Sequence, residues 1–311
     1  MRVVHGFHGL GLDLDQPAVT IGNFDGVHRG HQRVMRAAVE AADYRSAMSV
    51  VCTFEPHTLQ VLRPEDAPDL LQTLDQKLRA IATLGVDMAV VIPFDEAVAA
   101  TGRRHFVDDF LCGELSLGSL HVSKGFSFGR GRSGETQYLE ERAAETGFGV
   151  TRVEASLVAG EPTSSSRIRS AVVDGEVELA RRLLGRPYAL SGEVITGSGR
   201  GRGLGAPTAN MVPTNGCLPA TGVYSGLVDH EGSRLPALMN IGRRPTFGEG
   251  GDLHFEAHLL DFDGDLYGAT LEFELIARVR DERRFPTPDA LAAQIDADVV
   301  LARSQLLAAS G

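Results

Sequence analysis

Cysteine is scarce in this 311-residue sequence, and the three that occur, Cys52, Cys112 and Cys217, are odd in number and lack a CxxC spacing. That argues against a disulfide framework or a cysteine-based zinc site. Two of them sit in apolar segments, VVCTF and FLCGEL, and read as reduced packing residues. Long apolar runs are lacking too. No stretch approaches the roughly 20 apolar residues of a membrane span, and the N-terminal MRVVHGFHGLGLDLDQP holds no signal-peptide core. No membrane association is expected, and a cytoplasmic location follows by elimination. Positive charge is in deficit, with a formal net charge of -11. General nucleic-acid binding needs a basic surface that neutralises phosphates, so none is expected. Lysine is nearly absent: Lys77 and Lys124 are the only two among 30 basic residues, a bias read as compositional. The arginines cluster instead, as in Arg130 with Arg132, Arg167 with Arg169, Arg200 with Arg202 and Arg243 with Arg244. Such pairs suffice for a local pocket that takes a small phosphorylated ligand.

What is present is an ordinary globular composition, 43% hydrophobic and 23% charged, in a chain longer than one hydrophobic core usually supports. Two domains are expected, 1–185 and 186–311. From residue 18 to about 155, short β-branched runs (AVTIG, MSVVCTF, DMAVVIPF, LHVS, GVTRVEA) alternate with helical patterns such as HQRVMRAAVEAA and TLDQKLRAIATLG. That alternation needs crossover connections and gives a parallel sheet covered by helices. After GRPY the rhythm changes to closely spaced strands, among them LSGEVITG, GVYSGLVDH, LPALMNIG, LHFEAHLLDF and ATLEFELIARVR. These predict a mainly antiparallel barrel or sandwich. TPDALAAQIDADVVLARSQLLAA closes the chain as one helix. Nothing in the sequence fixes an oligomeric state.

Two segments carry chemistry. Gly22-Asn23-Phe24-Asp25-Gly26-Val27-His28-Arg29-Gly30-His31 joins the first strand of the alternation to a helix. A strand, a glycine-bearing loop and a helix N-terminus make a phosphate site, because the first-turn amides are unpaired and the macrodipole is positive there. Gly22, Asp25 and Gly30 are its expected phosphate-binding positions. His28 and His31, three apart, point the same way and can donate to phosphate oxygens. The plainer readings are half of a metal site, for which no third ligand of suitable spacing follows, and a structural Asp-Gly turn. The loop has no GxGxxG, so hydride chemistry has no support from it. Further on, Ser164, Ser165 and Ser166 precede Arg167, so hydroxyls, amides and a guanidinium gather at another helix start.

The second segment is the glycine-rich stretch from Gly197 and Gly199 through Arg202 to Pro207-Thr208-Ala209-Asn210. Its backbone can approach an anion closely. Thr208 and Asn210 are two apart on an extended segment, face one side, and can hold Mg2+ against nucleotide phosphates. Glu256, in HFEAHLL between His254 and His258, is either a proton acceptor at the barrel mouth or an outward strand carboxylate.

GNFDGVHRGH resembles the HxGH nucleotidyltransferases, and with CTFEPH, GFSFGRGRSG and TSSSRIRSAV it resembles the N-terminal domain of bacterial bifunctional riboflavin kinase/FAD synthetases. PTAN, followed by GVYSG, NIGRRPTFG, HFEAHLLDFDGDLYG and RVRDERRF, resembles the family's kinase domain. The resemblance implies a nucleotidyltransferase-like α/β domain followed by a β-barrel. It implies ATP as substrate with Mg2+ at Thr208 and Asn210, Glu256 as catalytic base, and His28 and His31 acting on the departing pyrophosphate. Riboflavin and FMN are the implied acceptors, with Phe126, Phe128, Arg280 and Phe285 on the flavin. Ser123-Lys124-Gly125 departs from the family's pattern in the flavin loop. That leaves open a second reading, a kinase whose N-terminal domain has lost FMN adenylylation or serves another acceptor.

Overall fold

A computed structural model describes residues 1–195, 208–243 and 253–310, which fall into two compact units. The first comprises Met1–Pro68 and Leu74–Ser164, the second Asp69–Thr73 and Ser165–Gly311.

The first unit is built on a six-stranded, all-parallel sheet of β1 (Arg2–His5), β2 (Ala18–Ile21), β3 (Ser49–Glu55), β4 (Met88–Pro93), β5 (Ser119–Ser123) and β8 (Gly149–Val153). Their order is β1-β4-β3-β2-β5-β8. All four residues of β2 and the first five of both β3 and β4 are buried, which is why these strands read as continuous apolar runs. The short β6 (Ser127–Phe128) pairs with β7 (Gly134–Glu135), and β9 (Leu157–Val158) with β10 (Glu161–Pro162). Gly134 is required there: a Cβ would lie 2.6 Å from the Phe128 ring.

The connections are α1 (Arg29–Arg45), α2 (Thr58–Leu62), α3 (Leu74–Ala82), α4 (Glu96–Ala99), α5 (Arg103–His105) and α6 (Thr136–Thr146). α1 buries Val34, Met35, Ala38 and Ala42 and lies across β2, β3 and β5. It ends where Ser46 takes a left-handed conformation, φ 52°. α5 continues directly into Phe106–Glu114, which is wound as a π-helix. One strand escaped the sequence reading. β1 is a four-residue edge strand whose partner β4 lies far along the chain, so no local alternation marks it.

The chain leaves β2 through α1 to β3 and β4 on one side, then crosses to β5 on the other. The sheet's switch point therefore lies between β2 and β5, and the crevice at their carboxyl ends is where an open α/β sheet binds ligands. The Gly22–His31 segment leaves β2 at that end.

The second unit starts with α7 (Ser165–Val173) and α8 (Val177–Leu184), the latter closed by Gly185 at φ 76°. A closed barrel follows, made of β11 (Tyr188–Ile195), β12 (Ala209–Pro213), β13 (Gly222–His230), β14 (Ser233–Arg243), β15 (Leu253–Leu259) and β16 (Thr270–Arg280). Its order is β11-β12-β15-β14-β13-β16, every pairing antiparallel. α9 (Pro288–Ser310) packs on β13, β14 and β16 through Val299 and Ala302 against Val223, Leu238 and Val279. The segment Asp69–Thr73 belongs with this unit. Leu70 and Leu71 accept hydrogen bonds from the Cys217 amide (3.0 Å) and the Asn215 Nδ2 (3.1 Å), and the Leu71 side chain is fully buried. None of the three cysteines is in a disulfide, and burial pushes the Cys52 thiol far up in pKa.

Candidate functional site

In the first unit the phosphate loop is a tightly constrained turn. Phe24, Gly26 and Val27 all have positive φ, at 49°, 86° and 39°. A β-branched residue there is a genuine outlier, the kind of strain that concentrates at functional sites. The turn is held from outside: Thr53 Oγ1 donates to the Asn23 carbonyl (3.2 Å), and the Asn23 side chain bonds the hydroxyl and amide of Thr58 at the start of α2.

His28 is the N-cap of α1. Its Nδ1 accepts from the amides of Gly30 (3.1 Å) and His31 (3.3 Å). An acceptor Nδ1 is unprotonated, which puts the ring proton on Nε2 and makes that atom a donor. The His31 ring stacks on it, with centroids 3.6 Å apart and planes within 19°. The spacing-based expectation that both imidazoles point the same way thus has its geometry. Gly30 leaves room for this pair, since a Cβ would come 2.9 Å from Thr163 Oγ1 and 3.0 Å from the His28 ring. Asp25 is buried in the same loop. Beside it, the arginines Arg29, Arg33 and Arg36 of α1 and Arg152 of β8 line a cavity of about 530 Å³. Ser164 ends this unit, while Ser165 and Arg167 sit in the first turn of α7 in the other.

Of the residues expected at the flavin, Phe126 and Phe128 stack at 5.8 Å. Phe128 is core, 8% exposed and packed near Phe106 and Tyr138; Phe126 is half-buried on its flank.

In the barrel the site is assembled by strand register. Glu256 of β15 lies directly opposite Asn210 of β12 on one side and Asn240 of β14 on the other. Residues opposite one another share a face, so a carboxylate sits between two carboxamides. Phe255 and Ala257 are buried on the other face of β15, which leaves Glu256 half-buried alongside His254 and His258. Neither the Glu256 nor the Asn240 side chain has a hydrogen-bond or ion-pair partner among the described residues. Thr208 stands two residues before Asn210. Gly197, Gly199 and Arg202 lie outside the described residues.

Arg280 is tied down. Its Nε and Nη2 pair with the carboxylate of Asp298 at 2.9 and 2.8 Å, and Gln294 donates to the same carboxylate (2.6 Å). The guanidiniums of Arg280 and Arg283 lie 5.5 and 4.8 Å from the Phe285 ring centroid. α9 therefore braces the segment carrying the expected flavin residues.

The comparisons with known proteins fall on these two sites separately. The family model described as FAD synthetase matches residues 12–167, and the one described as riboflavin kinase matches 184–306. "Bifunctional riboflavin kinase/FMN adenylyltransferase" of Escherichia coli K12 is 38% identical over 97% of both chains. The chain belongs to this bifunctional family. The Bacillus subtilis member is 35% identical, covering 96% of this chain and 95% of its own. A solved structure from Streptococcus pneumoniae, described as a macrolide-efflux protein, shares the fold with a TM-score of 0.88 at 28% identity over 97% of this chain and 99% of that one. No helix among the described residues of this family member is long and apolar enough to cross a membrane.

Two residues of these sites escape a reading by motif, and a third position, Lys77, stands out by burial alone. Asn240 is visible only as a polar residue inside an apolar strand, LMNIG, and its place beside Glu256 depends on register. Asp298 looks like any helix acid until α9 docks. Lys77 is masked by composition, yet it is buried.

Proposed function

We propose that this chain makes FAD in two steps, phosphorylating riboflavin with ATP to give FMN and ADP, then adenylylating FMN with a second ATP to give FAD and pyrophosphate. What carries the reading is that one chain holds two separately constructed sites, the capped imidazole pair of the first unit and the Asn210–Glu256–Asn240 row of the barrel. The match to an FAD synthetase model and the bifunctional relatives favour it over a kinase with a drifted N-terminal domain.

In the kinase step, residues 186–311, Glu256 takes the proton of the terminal ribityl hydroxyl as its oxygen attacks the γ-phosphorus of ATP and ADP leaves. Asn240 and Asn210 flank the carboxylate, where their carboxamides can bond the attacking hydroxyl. Thr208 and Asn210 offer hard oxygen donors, the kind Mg2+ shares with substrate phosphates, and these two residues would hold the ion, which supplies neutralisation of phosphate charge. Phe285, braced by Arg280, is the ring this unit offers to the flavin.

In the adenylyl step, residues 1–185, the FMN phosphate is already an anion, so no strong base is needed. Its oxygen attacks the α-phosphorus and pyrophosphate leaves. His28 Nε2–H, His31, the α1 amides and Ser164 stabilise the charge that develops on the leaving group. Incubating the full chain with riboflavin, Mg2+ and ATP and separating the flavins by chromatography tests this. FMN followed by FAD is expected; FMN alone would refute the bifunctional reading, and unchanged riboflavin would refute both steps.

A further inference from the structure

Lysine occupies two of this chain's 30 basic positions, and the two differ in environment. Lys124 is exposed in the turn after β5. Lys77 is 4% exposed, in the first turn of α3. An interior lysine in a sequence that otherwise uses arginine is the kind of position where the two are not interchangeable: arginine's planar fork needs room and several partners, whereas an ammonium is a compact point charge.

The helix places this ammonium next to the phosphate loop. Ile81, one turn along on the same face of α3, packs in the cluster formed by Phe24 and Val27 of the loop with Met35 of α1. The charges that act on Lys77 are those of Glu55, at the end of β3, and Asp25, in the loop itself. Burial lowers the lysine pKa, and the two carboxylates pull it back up. No side-chain hydrogen bond or ion pair within 4 Å holds the ammonium among the described residues. A buried cation that only served stability would be expected in direct contact with a partner, because leaving it unpaired costs several kcal/mol or more. Two carboxylates close enough to offset part of its charge, with its donors unspent, describe a group kept for an anionic ligand.

We infer that Lys77 is a phosphate-binding residue of the adenylyl-transfer site, with its ammonium donating to the phosphate of the acceptor flavin. This rests on the FMN-adenylylating function proposed above. In-line transfer puts attacking and leaving oxygens on opposite sides of the α-phosphorus. The α1 amides and the imidazole pair serve the leaving side. Phe24 lies against His31, with centroids 5.2 Å apart, and shares its cluster with Ile81, on the lysine face of α3. That assigns Lys77 to the attacking phosphate.

The test uses full-length wild type, Lys77→Met and Lys77→Arg, assayed for FAD formation from added FMN and ATP. Met is close in volume and removes the buried charge without opening a cavity. Thermal melts of all three proteins check folding, and riboflavin phosphorylation in the same preparations checks the barrel. Losing one charge-assisted phosphate contact predicts a fall in kcat/KM for FMN of roughly 10- to 100-fold in Lys77→Met. KM for FMN should rise, KM for ATP and the kinase rate should stay within about twofold, and arginine should not restore wild-type KM. An unchanged KM for FMN in a folded Lys77→Met protein, or a rise confined to KM for ATP, would overturn the assignment. If wild type itself forms no FAD from FMN, the proposed function fails, which is a separate result from failure of the Lys77 assignment.

Discussion

In the first unit, the residues of the phosphate loop are neighbours in sequence, and local rules shape them: a strand end, three positive-φ residues and a histidine that caps its own helix. In the barrel, Asn210, Asn240 and Glu256 come from three strands, and only antiparallel register aligns them. The first site depends on one turn and one helix start. The second depends on the whole barrel closing in register, since a one-residue slip of β15 would turn Glu256 to the opposite face. A substitution in the loop should therefore disable one activity locally, whereas the barrel site should also be sensitive to distant changes that disturb how its strands are braced.

The sharpest break between the two sites is Glu256→Gln. It keeps the shape and removes the base, so riboflavin phosphorylation should fall about 10²- to 10⁴-fold while FAD formation from added FMN persists, as product chromatography would reveal. His28→Ala is the mirror case. FAD formation should drop about 10²- to 10³-fold with riboflavin phosphorylation intact; loss of both activities would mean the two sites are not separable. Asp298→Ala tests the bracing of the barrel. It leaves the Arg280 guanidinium, only 19% exposed, without its partner, and should cost about 3–5 kcal/mol, read by denaturant unfolding. Its kinase KM for riboflavin should rise, with no matching change in KM for FMN in the adenylyl step. The smallest effect is at the far end of the same α1 whose start carries the imidazoles. Ser46 sits at φ 52°, so Ser46→Gly should stabilise by up to about 1 kcal/mol. A higher Tm with both rates unchanged would show that only the N-terminal end of α1 serves catalysis.

Legibility follows the same divide. The alternation of strands and helices, the barrel's short strands and the closing helix can be read directly, because each imposes its own period on a contiguous segment. His28 and His31 are legible for the same reason. Glu256 is visible as a strand carboxylate, but its two asparagine neighbours are not, since pairing partners are set by closure rather than by spacing. β1 is missed because a four-residue edge strand has neither alternation nor a nearby partner. Lys77 is missed because scarcity of lysine reads as a property of the whole chain, while the informative property is burial, which composition does not carry.

The five residues Asp69–Thr73 have a consequence for how such a protein can be divided. They interrupt the first unit in sequence yet supply the second with a fully buried Leu71 and with carbonyls that satisfy Asn215 and Cys217. The barrel unit is thus discontinuous in the gene. A fragment starting at Ser165 would inherit a hole where Leu71 belongs and would lose the two carbonyls that accept from Asn215 and Cys217. For this chain the fusion of two enzymes is therefore more than a linker between independent parts: recombination at one breakpoint cannot release the kinase half whole, and any free-standing version would need a replacement for this strap.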